Sequence, residues 1–187
     1  METVVLYTSH YGATKQYATA LAAALGVPCF ALGTEDAQAV RSAGRIVYGG
    51  GLYAGGVAGL GKAKKYFPGK DVFLFTVGLA AAQRPEVRAE IEGQVRRGLG
   101  QQSLAPGRLF CLRGAFCFDK LGAVHKAMMR MMRRMLLKKG DAMTQDDRDL
   151  LAAYDTPVDF TDVSALAPLV RACGAVPPAA WQGCAGI

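Results

Sequence analysis

Three short segments carry residues whose types and spacing suit chemistry. The first is Thr8-Ser9-His10-Tyr11-Gly12-Ala13-Thr14, between an apolar run and an alanine-rich one. Hydroxyls at Ser9 and Thr14 stand around Gly12. A phosphate monoester needs many hydrogen-bond donors and little bulk. Hydroxyls, loop amides and a helix N-terminus supply both without a lysine. An ordinary helix cap by Ser9 or Thr14 explains the same residues equally well. The second segment is Gly49-Gly50-Gly51-Leu52-Tyr53-Ala54-Gly55-Gly56. Consecutive glycines at a strand end let a flat ligand approach the backbone. Tyr53 can stack on an aromatic ring, and Leu52 does so less well. The bland alternative is a flexible turn with Tyr53 on the surface. The third segment, Gly78-Leu79-Ala80-Ala81-Ala82-Gln83, is small and apolar. It suits covering one face of a flat ring, or serves as a plain connection. The first segment lacks G-x-G-x-x-G, which disfavours dinucleotide binding. It also lacks G-x-x-x-x-G-K-[ST], which excludes a P-loop nucleotidase.

Such segments need elements to hold them. Thr3 to Thr8 is apolar and β-branched, as expected of a strand covered on both faces. Ala13 to Leu25 has helical spacing and stops at Gly26. Val27 to Leu32 reads as a short strand that Pro28 places at a sheet edge. Residues 35–43 read as a helix, and Arg45 to Tyr48 opens a third strand running into the glycines. Residues 57–67 read as helix and Asp71 to Val77 as a buried strand. Pro85 starts a helix with Glu86 in its first turn and Arg96 and Arg97 in its last, as the helix dipole favours. Leu109 to Leu112 is a fifth strand. This alternation predicts an α/β fold, a doubly wound five-stranded parallel sheet with helices on both faces. Ligands of such sheets bind beyond the carboxyl ends of the strands, where the winding reverses. All three segments fall there, and their agreement favours the ligand reading over each bland one.

Beyond Gly114 the pattern changes. Asp119 to Lys139 reads as a long helix. Val124, Ala127, Met128, Met131, Met132 and Met135 fall on one face of it, which Met129 and Leu136 widen. Lys126, Arg130, Arg133, Arg134 and Lys138 lie mostly elsewhere. Three accounts are open. The methionines pack on the sheet; the helix lies on an anionic membrane surface; or the basic face attracts an acidic substrate or redox partner. Thr144 and Asp147 form a capping-box-like pair before a short helix ending at Tyr154. Thr161 and Asp162 precede a last helix to about Cys173. The expected division is a domain over 1–175, an insertion over about 113–157 and an irregular tail over 176–187.

The 187 residues, 51% hydrophobic, suit one domain with a sizeable core. The net charge is +7, and seven basic residues lie between Lys120 and Lys139 without an acid. The excess is therefore local, which argues against a general nucleic-acid surface. Five cysteines without a C-x-x-C pair point to buried thiols in a reducing compartment. His10 and His125 stand far apart in sequence, so metal ligation has little support. No run reaches transmembrane length, and no signal peptide is evident. The expectation is a cytoplasmic protein, with membrane contact as an option.

The stretches LYTSHYGAT, YGGGLYAG, FTVGLAAAQRPE and RGAFCFDKL resemble the flavodoxin-domain family. Within it they look most like the menaquinone-dependent protoporphyrinogen oxidases. The resemblance runs through the closing segment VDFTDVSALAPLV. It implies non-covalent FMN, with the phosphate on Ser9, His10, Tyr11, Gly12, Ala13 and Thr14. The ring is then expected between Gly50, Gly51, Leu52, Tyr53 and Ala54 on one side and Gly78, Leu79, Ala80, Ala81 and Gln83 on the other. Two positions depart from common flavodoxins: Tyr11 replaces a threonine, and the third segment lacks an aromatic residue. The function so implied is electron or hydride transfer from a reduced substrate to a quinone. Alternatives are a non-enzymatic electron carrier, or a flavodoxin fold with weak or lost FMN binding that acts through its basic helix. No side chain stands out as a general acid or base.

Overall fold

Apolar runs covered on both faces assemble the centre of the molecule. The computed structural model describes residues 1–53, 55–80 and 82–181. Its elements are β1 (Thr3–Thr8), α1 (Ala13–Leu25), β2 (Cys29–Ala31), α2 (Ala37–Ser42), β3 (Arg45–Tyr53), β4 (Gly56–Val57) and α3 (Leu60–Ala63). There follow β5 (Asp71–Gly78), α4 (Pro85–Leu99), β6 (Leu109–Arg113), β7 (Ala115–Phe116), α5 (Ala123–Leu137), α6 (Gln145–Asp155), β8 (Val158–Asp159) and α7 (Ala167–Ala172). The main sheet runs β2-β1-β3-β5-β6, all parallel, and β4 folds back antiparallel on the end of β3.

Alternate residues of each strand feed two cores. Val4, Leu6, Ile46, Tyr48 and Leu74 meet Leu60, Ile91, Val95 and Leu99 from α3 and α4 on one face. Val5, Val47, Phe73 and Phe75 meet Tyr17, Leu21, Leu169 and Val170 from α1 and α7 on the other. The expected α/β fold with helices on both faces is therefore present, with one short extra strand. Helix α1 spans the expected residues, and Gly26 ends it in the left-handed conformation. The edge strand β2 is shorter than the sequence suggests.

Three expectations need correction. Gly49, Gly50 and Gly51 are not a loop: β3 continues through them to Tyr53, paired with β1 and β5. Residues 57–67 are not one helix; they divide into β4, α3 and a 3-10 turn at Lys64–Tyr66. The helix expected from Asp119 starts only at Ala123, after a 3-10 turn at Phe118–Lys120. Gly122, extended at φ −65° and ψ 160°, separates them.

The segment expected to be an insertion leaves the sheet after β6, and the antiparallel pair β7 and β8 brings its ends together. Thr144 caps α6 as expected: its hydroxyl accepts from Asp147 N–H, and the Asp147 carboxylate accepts from Thr144 N–H. The methionine face of α5 does not pack on the sheet. Met131 and Met135 are 65% and 58% exposed, Met128 and Met132 are also exposed, and Leu136 is the buried residue of the helix. Among the described residues no helix is long and apolar enough to cross a membrane.

Candidate functional site

The strand order reverses its direction of growth between β1 and β3, and their carboxyl ends meet there. The first loop leaves β1 at Thr8, whose hydroxyl lies 2.8 Å from Tyr48 Oη. Tyr48 in turn donates to the Ala58 carbonyl at 2.6 Å, so it receives the Thr8 proton. Burial pushes the Tyr48 phenol up to about 12, which keeps it a neutral donor. Gly59, at φ +72°, passes so close that a Cβ there would overlap the Thr8 and Tyr48 oxygens. The turn after β4 thus buttresses the root of the first loop, a role the sequence reading missed.

The loop then turns on Gly12, whose φ of +100° is accessible chiefly to glycine. Gly12 N–H donates to Ser9 Oγ at 3.1 Å. Among the described residues no side chain caps α1. The plain-cap account of Ser9 and Thr14 therefore does not hold in this structure. The first-turn N–H groups of α1 have no intrahelical acceptor and give this end of the helix a partial positive charge. Thr14 is buried in that first turn, while His10, Tyr11 and Gly12 are exposed.

At the end of β3 the glycines serve internal packing. A Cβ on Gly49 would overlap the Phe75 ring. One on Gly50 would lie 2.5 Å from Val57 Cγ1, and one on Gly51 2.5 Å from the Tyr53 ring. Phe75, Val57 and Tyr53 thus fill the space that the sequence reading left for a flat ligand at these three residues. Tyr53 is half-buried, and desolvation pushes its phenol up to about 12. The third loop follows β5. Leu52 fills the space beside Gly78, and the Gly78 carbonyl accepts from Gly114 N–H at 2.8 Å. Arg113 Nε donates to the Leu79 carbonyl at 3.2 Å. Ala80 and Gln83 are exposed. Ala54 and Ala81 lie outside the described residues.

The unforeseen member is His125. The two histidines, distant in sequence, have ring centroids 5.7 Å apart. His125 stacks on Tyr53 at 5.5 Å with 15° between the planes. Tyr11 Oη hydrogen-bonds His125 Nδ1 and also accepts weakly from Gly122 N–H at 3.4 Å. His10 meets Tyr53 edge-on at 5.1 Å, and Tyr11 does so at 5.9 Å. The signal was present in the helical register. His125 shares its side of α5 with Met129 and Leu136, the side turned to the protein. No group of three His, Cys, Asp or Glu side chains that would hold a metal occurs among the described residues. Two clefts of about 350 and 420 Å³ lie at the opposite end of the sheet, where β1 begins, around Met1, Thr3 and Val27.

Strand order, uncapped α1 and the aromatic wall at the ends of β1 and β3 define a flavodoxin-like α/β protein. Residues 4–145 match the flavodoxin domain, and the chain belongs to that family. A search of the curated proteins finds no match. Among solved structures, a WrbA-like flavodoxin from Agrobacterium tumefaciens is 20% identical, covering 60% of this chain and 82% of its own, with a TM-score of 0.43. Oxidised flavodoxin 2 from Bacillus cereus is 16% identical over 60% and 84%, with a TM-score of 0.44. A flavodoxin from the domain Archaea is 18% identical over 60% and 83%, with a TM-score of 0.42.

Proposed function

We propose that the protein is an FMN-binding oxidoreductase that works at an anionic membrane surface. The observation that carries the cofactor is the uncapped start of α1 under a loop turned by Gly12, facing half-buried Tyr53. A phosphate monoester fits the first part: Ser9, the amides around Gly12 and the α1 dipole would hold it without a lysine. Family membership supports the same cofactor. Tyr53, Leu52, Leu79 and Ala80 would face the ring. Bound there, FMN supplies one- and two-electron redox chemistry, while the protein orients and shields it.

We assign the electron acceptor to the quinone class and the donor to reduced porphyrins, as the resemblance to menaquinone-dependent protoporphyrinogen oxidases suggests. The surface of α5 supports this setting. Val124, Met128, Met131 and Met135 form an exposed apolar strip, flanked by Arg134 and Lys138, with Lys126, Arg130 and Arg133 further round. Exposed apolar side chains beside cations suit an anionic bilayer surface, and the same cations suit carboxylate-bearing substrates. The test is quinone-dependent oxidation of a reduced porphyrin by the FMN-loaded chain. Turnover supports an oxidase; a bound flavin without turnover makes the protein an electron carrier.

A further inference from the structure

We infer that His125 is a ring-binding residue: carried into the site by the insertion, it clamps the flavin ring against Tyr53. This rests on the FMN reading above. Three observations point to it. The Tyr53 and His125 planes are only 15° from parallel at 5.5 Å. Tyr11 of the first loop holds the His125 imidazole through Nδ1 and touches Gly122 N–H, so it anchors the start of α5 over the loop. The third loop, with Gly78, Leu79 and Ala80, offers no aromatic side chain to a ring.

A flat aromatic ring is best held between two parallel faces. Stacked partners on both sides require plates about 7 Å apart. Tyr53 and His125 lie against each other, centroids 5.5 Å apart, so the flavin ring enters this pair only as the imidazole swings away from Tyr53. His10, edge-on to both Tyr53 and His125, closes the flank of the same slot. Tyr11 then acquires a reason to be a tyrosine. A hydroxyl on a short side chain would serve a phosphate, but only a phenol reaches from the phosphate loop to the imidazole of α5. Phosphate grip and ring clamp are thereby linked through one side chain.

The test uses the full chain and two probes, FMN and riboflavin, which share the ring and differ in the phosphate. Binding is read from quenching of flavin fluorescence, and folding of each variant from circular dichroism. His125→Ala is expected to weaken both flavins by about tenfold, the scale of one stacked aromatic contact. Residual fluorescence of the bound flavin should rise. His125→Phe retains a plate without the Tyr11 bond and should stay within about threefold of wild type. Ser9→Ala should weaken FMN and leave riboflavin unchanged. Wild-type protein that fails to bind FMN overturns the cofactor reading and this inference together. Wild-type protein that binds FMN, with His125→Ala binding both flavins equally well and quenching them equally, overturns the clamp alone. Loss in His125→Phe as large as in His125→Ala also overturns it, because the plate would then not be what matters.

Discussion

In α1, residues at helical spacing meet the sheet: Tyr17, Ala18 and Leu21 are fully buried. In α5, the same spacing carries Met128, Met131, Met132 and Met135 to the surface. Both helices have an apolar face, and among the described residues only that of α1 is covered. Spacing defines a face; it does not say what covers it. Methionine tolerates irregular and changing surroundings, which suits a face that meets its partner from outside. The sheet buries its apolar residues, while α5 leaves most of its own exposed.

The comparison is sharpened first by Phe75→Ala. Phe75 is fully buried and fills the space over Gly49. The substitution should cost about 3–5 kcal/mol in urea unfolding. A loss below about 1 kcal/mol would mean that this part of the sheet is not tightly packed. Next comes the surface role of the insertion. Replacing Arg130, Arg133 and Arg134 together with glutamine should weaken binding to anionic vesicles by on the order of a hundredfold at low salt, at about 1 kcal/mol per cation near the bilayer. The difference should shrink as salt rises, and the unfolding midpoint should hold. Unchanged vesicle binding would refute the lipid-surface assignment.

Third, Tyr48 and Tyr53 should ionise only near pH 12, against an ordinary value of 10. Burial raises both, so the stability they contribute is complete below pH 10 and is lost as pH climbs toward 12. Spectrophotometric titration of wild type against Tyr48→Phe and Tyr53→Phe reads this directly. Fourth, Thr144→Ala removes a capping box and should cost about 1 kcal/mol, confined to the insertion. Hydrogen exchange should quicken in α6 and stay slow in β1 and β5. Smallest is the double change Met131→Ala with Met135→Ala, which should move global stability by less than about 0.5 kcal/mol. A larger loss would show that the methionine face is covered after all.

The layout of the sheet was legible because each strand is apolar on both faces and each turn carries its glycine or proline. Helix α4 could be read from Pro85, Glu86 and its terminal arginines alone. The course of β3 through Gly49 to Gly51 was not legible. Glycine signals a close approach, and only the fold tells whether Phe75 or a ligand makes it. The short strands β4, β7 and β8 have two residues each, too few for any period to register. The first loop was recognisable from Ser9, Gly12 and Thr14. His125 was not, because its partners Tyr11, in the first loop, and Tyr53, at the end of β3, are far from it in sequence and meet it only in the fold.

The most direct test of the central claim is an equilibrium titration of the purified full chain with FMN, followed by flavin fluorescence. A flavin seated at the start of α1 and against Tyr53 predicts saturable quenching with one FMN per chain. It also predicts weaker binding of riboflavin, which lacks the phosphate, and weaker FMN binding in Gly12→Val, where φ +100° excludes a branched side chain. Absence of saturable quenching, or riboflavin binding as tight as FMN, would contradict it.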